Sequence, residues 1–232
     1  MDIEVWLDRA GAAPWGLLGA LLTLAAVVAL LFAERADSHR GRLAFKPLAS
    51  AGFLCFALGT GITGTVAGTT LFVGLCLAAV GDILLIFPGQ RAFLGGLVAF
   101  LLGHVAYTVS FVLAGPRPLW MLVAALLIVP LTALLYVDLR PKIPAAMMRP
   151  VMAYMVVITV MVICAAGLPP RHPALATLTL GAFLFYLSDI SVALDRFAEA
   201  GFGNRALGLP LYYVAQLIIG GAGLAYLAAQ VA

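Results

Sequence analysis

Charge is what this sequence has least of: Asp, Glu, Lys and Arg supply 10% of its 232 residues, against 64% hydrophobic residues. No water-soluble domain has that balance, so a polytopic membrane protein with almost no mass outside the bilayer is implied. The net charge of +3 is small and scattered, which leaves no basic surface for nucleic acid. Cys and His are scarce too, at three each. Cys55, Cys76 and Cys164 all fall in apolar runs and read as small buried hydrophobes, not as disulfide partners or metal ligands. The opening stretch MDIEVWLDRA lacks the basic start of a secretory leader, and the apolar run behind it is long enough to span, so it reads as a retained helix. Strict polar–apolar alternation is missing, which argues against a β-barrel. No linker or composition shift divides the chain, so residues 1–232 read as a single transmembrane domain.

What is there is a series of apolar runs, at about 15–33, 43–60, 66–87, 91–114, 117–137, 146–167, 172–194 and 207–230. These predict an all-α membrane protein with eight transmembrane helices in a single bundle. Short connections carry breakers such as Pro88-Gly89, Gly115-Pro116 and Pro169-Pro170. Of the 13 Lys and Arg, Arg9, Arg117 and Arg171 fall on one side of such a bundle and the other ten on the opposite side. By the positive-inside rule the richer side is cytoplasmic, which puts both termini on the non-cytoplasmic side.

Two acids break the apolar pattern. Asp82 lies in GLCLAAVGDILLIF (74–87) and Asp189 in GAFLFYLSDISVAL (181–194). Each has a Gly eight residues before it, a small residue directly before it and Ile directly after it. An Asp at the centre of a spanning helix costs about 2.5–3.5 kcal/mol on insertion scales, so its presence reads as functional. Each lies five residues before the cytoplasmic end of its run, roughly 8 Å deep at about 1.5 Å per residue. Tyr154, Tyr212, Tyr213 and Gln216 enter from the same side, and Lys46 and Arg196 stand at its rim. His104 is deeper, roughly 20 Å in. The two Asp segments are four helices apart, which hints at a parallel four-plus-four repeat.

The segments FKPL (45–48), GDILL (81–85), GHVAY (103–107), RPVMAY (149–154), SDISVALDRF (188–197) and LPLYYVAQLI (209–218) resemble the YhhN-like lysoplasmalogenase family. They occur in family order over about residues 43–220, and the first 40 residues carry no matching motif. The resemblance implies an eight-helix membrane enzyme that hydrolyses the vinyl ether bond of a lysoplasmalogen. The products are a fatty aldehyde and a glycerophospho-headgroup alcohol. It implies a lysophospholipid substrate, membrane lipid as surroundings, no metal or organic cofactor, and residence as a multi-pass protein in a bacterial cytoplasmic membrane.

Vinyl ether hydrolysis begins with slow protonation of the β-carbon and passes through an oxocarbenium ion. One carboxyl must hold a proton to act as acid, which burial favours, while a second stays ionised to stabilise the cation and activate water. Glycosidases divide the work between two carboxylates around a similar cation. Asp82 and Asp189 are the candidate pair, with either as the acid. Tyr154, Tyr212, Tyr213 and Gln216 are candidates to orient the ether oxygen or the water. Positions 212 and 216 share a helix face while 213 points about 100° away, so one Tyr of the pair reads as packing. Lys46 and Arg196 are candidates for the substrate phosphate.

Each of these residues also has a plainer reading. One Asp can be structural, paired with Lys46 or a Tyr; Arg196 can be a rim charge paired with Asp195. His104 can shuttle protons or simply bond a neighbouring helix. A zinc amidohydrolase would need three converging His ligands, but His39 and His172 are expected on opposite faces of the membrane. An intramembrane aspartyl protease would show YD and GxGD, whereas the Asp residues here sit in LSD and AVGD. A proton-coupled transporter using the same buried Asp residues is the strongest non-enzyme alternative.

Overall fold

Apolar stretches bounded by capping residues set the architecture. The computed structural model describes residues 14–168 and 173–222, and among these there is no strand. Eight long helices follow in order: α1 Pro14–Arg35, α2 His39–Gly59, α3 Val66–Leu84, α4 Gln90–Leu113, α5 Pro118–Leu139, α6 Ala145–Ala166, α7 Pro173–Phe197 and α8 Phe202–Gly220. Single 3₁₀ turns at Ile62–Gly64 and Arg140–Lys142 link two of the pairs. Ser38 caps α2 by accepting from Gly41 N at 3.2 Å, and Thr65 caps α3 by accepting from Gly68 N at 2.9 Å. Seven of the helices, α1 to α7, are long and apolar enough to cross a membrane; α8 is not among them. The chain is a multi-pass integral membrane protein by that measure, with large apolar side chains such as Leu18, Phe32 and Leu134 turned outward.

Helix ends differ from the expected runs wherever polar residues join a helix. α2 starts at His39 and α8 at Phe202, each several residues early, because backbone hydrogen bonding continues through HRGR and FGNR regardless of polarity. α3 stops at Leu84, ahead of the Pro88-Gly89 breaker, so Asp82 sits two residues from the helix end and not five. α7 runs on to Phe197. Arg9, His172, Arg171 and the end of the last expected run lie outside the described residues.

Packing is close because small residues face one another across helices. A Cβ added at Gly19 in α1 would meet the Gly52 carbonyl of α2 at 2.6 Å, and one at Gly74 in α3 would run into the Tyr107 ring of α4. Buried hydroxyls tie neighbouring helices through carbonyls. Thr23 donates to Ala49 O at 3.1 Å, Ser110 to Ala67 O at 2.8 Å, Thr179 to Ala165 O at 2.6 Å and Ser188 to Gly208 O at 3.0 Å. The contacts α2·α3, α3·α4, α4·α6, α6·α7, α7·α8 and α8·α2 close a ring, with α1 outside it against α2 and α8 and α5 outside it against α6. Ala124 and Leu139 are the buried residues of α5.

These contacts repeat with a shift of four helices. The pair α3·α4 corresponds to α7·α8, α2·α3 to α6·α7, α1·α2 to α5·α6, and α4·α6 to α8·α2. Pro47 lies inside α2 directly after Lys46, and Pro150 inside α6 directly after Arg149. Gly96 of α4 comes close to Gly81 O and Gly208 of α8 to Ser188 O, each carbonyl directly preceding an Asp. Asp82 and Asp189 therefore occupy matching places in the two halves.

Candidate active site

A cavity of about 410 Å³ opens between the halves, and both Asp82 and Asp189 line it. Charged side chains line it from the helix ends: Glu34 in the last turn of α1, Asp37 just after it, Arg42 near the start of α2, Arg196 at the end of α7 and Arg205 at the start of α8. Most of the remaining lining is apolar, with Phe93 near the start of α4 under Arg196, Leu135 near the end of α5, and Met155 and Ile158 further into α6. The acids, on α3 and α7, and the buried Lys46 of α2 line the same space.

Asp82 is 2% exposed, and its Oδ2 accepts from Ser50 Oγ and from Tyr212 Oη, both at 2.7 Å. Behind Tyr212 the donors continue in one direction. Gln216 Nε2 donates to Tyr212 Oη at 3.0 Å, and Tyr107 Oη donates to Gln216 Oε1 at 2.9 Å. A chain of hydrogen bonds thus runs from α4 through α8 and ends on the Asp82 carboxylate, which suits a negative charge there. Lys46, buried beside it, adds positive potential but forms no ion pair among the described residues.

Asp189 has a different shell. Tyr154 Oη donates to its Oδ2 at 2.6 Å, and His104 Nε2 lies 3.7 Å from the same oxygen. Its side chain is 15% exposed, more open to the cavity than Asp82. Among the described residues neither ring nitrogen of His104 has a partner in hydrogen-bond geometry, although the Phe100 carbonyl lies one turn back. The ring is enclosed by aromatics, with Phe185 at 4.6 Å and Tyr154 at 5.3 Å between centroids.

Of the residues singled out from sequence, Asp82, Asp189, Lys46, Tyr154, Tyr212 and Arg196 line the cavity; His104, Tyr213 and Gln216 do not. Gln216 forms a layer behind Tyr212. Tyr213 points into the core against Phe53, with its hydroxyl near Ser50 but without hydrogen-bond geometry. The Asp195–Arg196 pairing is corrected: Asp195 Oδ1 accepts from Gly201 N at 2.8 Å and closes the α7–α8 turn, while Arg196 stacks 4.3 Å over the Phe93 ring.

Several residues escaped sequence reasoning. Ser50 is one turn beyond Lys46 on the same helix face, a spacing that was the available signal. Tyr107 was visible only as a neighbour of His104. Glu34, Arg42 and Arg205 form a cluster at the mouth: Glu34 Oε2 accepts from Arg205 at 3.2 Å and from Arg42 at 3.5 Å, and Arg42 also reaches Asp37 at 2.9 Å. Arg42 holds the exposed Asp37 carboxyl below its usual range. These charges looked like ordinary rim residues because their partners are far away in sequence. Among the described residues no group of three His, Cys, Asp or Glu could hold a metal ion.

Bovine lysoplasmalogenase TMEM86A is 36% identical over 159 residues, which cover 66% of this chain and 64% of that protein. Human lysoplasmalogenase TMEM86A is 35% identical over the same shares, and human lysoplasmalogenase TMEM86B is 34% identical over 145 residues, 62% of this chain and 59% of that protein. The chain thus spans just under two thirds of the length of these relatives. No solved structure matches it. The YhhN family model matches residues 41–223, a stretch holding both acids and every residue bonded to them, and the chain belongs to the YhhN family.

Proposed function

We propose that this protein is a lysoplasmalogenase, hydrolysing the vinyl ether bond of a single-chain ether phospholipid with Asp82 and Asp189 as the acid–base pair. The observation that carries the reading is the cavity's lining: charged side chains from the helix ends, apolar side chains from α4 to α6, and two carboxylates in one space. A lysolipid likewise joins a charged headgroup to an apolar chain, with its vinyl ether between them. The curated relatives bear the name lysoplasmalogenase.

The unequal shells assign the roles. Asp82 receives two hydroxyl donors and faces Lys46, so it remains ionised. Among the described residues Asp189 has one hydrogen-bond donor, no Lys or Arg partner and more access to the cavity, so it carries the proton. Asp189 gives that proton to the β-carbon, and the carbon–carbon π electrons form the new C–H bond, leaving an oxocarbenium ion beside the Asp82 carboxylate. Asp82 then takes a proton from water as its oxygen bonds to the cationic carbon, giving a hemiacetal. Collapse returns the hemiacetal hydroxyl proton to Asp189 and the Asp82 proton to the departing glycerol oxygen, which restores both acids. Tyr154 and Tyr212 hold the two carboxyls in place. The ten basic residues on the mouth side orient that mouth to the cytoplasm, so substrate enters from the inner leaflet and the alcohol leaves to water.

The test is a substrate panel given to purified protein: a lysoplasmalogen, its ester-linked counterpart and its saturated alkyl-ether counterpart. Aldehyde release confined to the vinyl ether is expected. No aldehyde from any of them, with uptake of intact lipid into proteoliposomes, would replace this reading by transport.

A further inference from the structure

We propose that Arg205 and Arg42 form the phosphodiester-binding site of the cavity, with Glu34 as the carboxylate that holds both guanidiniums at the mouth. The inference rests on the lysophospholipid reading above and names residues that reading left unassigned. Arg205 belongs to the first turn of α8 and gives its Nη1 to Glu34 at 3.2 Å. Its Nε is buried and, among the described residues, without a hydrogen-bond partner. A guanidinium binds a phosphate side-on through Nε and the neighbouring Nη2, two parallel N–H donors for two oxygens. In Arg205 the Glu34 contact occupies the other nitrogen and fixes the plane of the group, so the side-on edge is the one left to a ligand. Arg42 converges on the same Glu34 oxygen from α2 at 3.5 Å, with its shorter bond at 2.9 Å going to the exposed Asp37, and brings a second cation.

The other basic residues of the mouth are committed elsewhere. Arg196 lies over the Phe93 ring and Lys46 sits buried beside Asp82. Spacing agrees as well. Arg205 precedes Tyr212 by seven residues on α8, about 10 Å of helix. The phosphorus of a lysoplasmalogen is separated from its vinyl β-carbon by roughly seven bonds, about 9 Å when extended at bond lengths near 1.5 Å. A phosphate on Arg205 therefore sets the reacting carbon level with Tyr212 and the carboxylate it touches. Glu34 lies outside the stretch matched by the family model, whereas Arg42 and Arg205 lie within it.

Steady-state kinetics on the full-length protein test this with two vinyl ethers, a lysoplasmalogen and the corresponding 1-alkenylglycerol without phosphate. Arg205→Gln is expected to raise KM for the lysoplasmalogen about tenfold or more relative to its effect on the alkenylglycerol. Arg205→Lys, which keeps the charge but loses the side-on edge, is expected to fall between. An equal loss on both substrates would make Arg205 structural and overturn the assignment, as would an unchanged ratio. Competitive inhibition of the wild type by inorganic phosphate, with that ratio unmoved in Arg205→Gln, would point to a free-anion site instead. If the wild type cleaves neither vinyl ether, it is the reaction that fails, and that outcome is separate from these.

Discussion

Asp82 and Asp189 differ less in sequence than in the company they keep. Both follow a small residue in an apolar helix, yet two hydroxyls and a Lys surround one while a Tyr and an unbonded His surround the other. Such shells decide which carboxyl retains a proton, because donors and cations stabilise the anion. Tyr154 is the only hydrogen-bond donor that Asp189 has among the described residues. Tyr154→Phe should therefore lower kcat by about 10–100-fold, the worth of one hydrogen bond to a charged or charge-bearing group, with little change in KM. Steady-state hydrolysis in detergent micelles reads this directly, and an unaltered kcat would remove Tyr154 from the account. The acids themselves were legible in the sequence because an ionisable group in an apolar run stands out against its background. Ser50 and Tyr107 were not, since hydroxyls are common in spanning helices and nothing local marks the one that reaches an acid 32 residues away. Arg205 and Glu34 were hidden differently: their separation of 171 residues makes each look like an unpaired rim charge.

At the level of the helix, close approach does the positioning. Gly74 lets the Tyr107 ring lie flush against α3, and that ring in turn bonds Gln216. Gly74→Ala would force the ring away, a clash that costs about 1–3 kcal/mol in a packed core. A fall in Tm of roughly 4 °C or more is expected by thermal unfolding in detergent, with reduced activity in the folded fraction. Full stability with Ala at this position would contradict the packing. Helix number and order could be read from apolar run length, but run ends could not. Hydropathy stops at the first polar residue, whereas the backbone ladder of α2 and α8 continues through HRGR and FGNR. Nor does hydropathy say which helices stand outside the ring. α5 is among the most apolar of all and is the least buried, because lipid and protein interior select the same side chains.

Across the described residues two four-helix halves share several of their packing pairs, each delivering one carboxylate to a common cavity. Helices exchange partners across the join. Asp82 of the first half is held by Tyr212 of the second, and Asp189 of the second lies beside His104 of the first. Such crossing makes each acid dependent on both halves, so a single reaction site arises from a repeated frame. A Gly eight residues before each Asp, a small residue directly before it and Ile directly after it were its traces in the sequence.

The most direct test of shared proton work is the kcat of Asp82→Asn, Asp189→Asn and the double variant on a lysoplasmalogen, in protein whose Tm matches the wild type. Each single variant should lose at least about a hundredfold, and the double variant should be scarcely worse than either. Near-normal turnover in either single variant, or losses that multiply in the double, would contradict it.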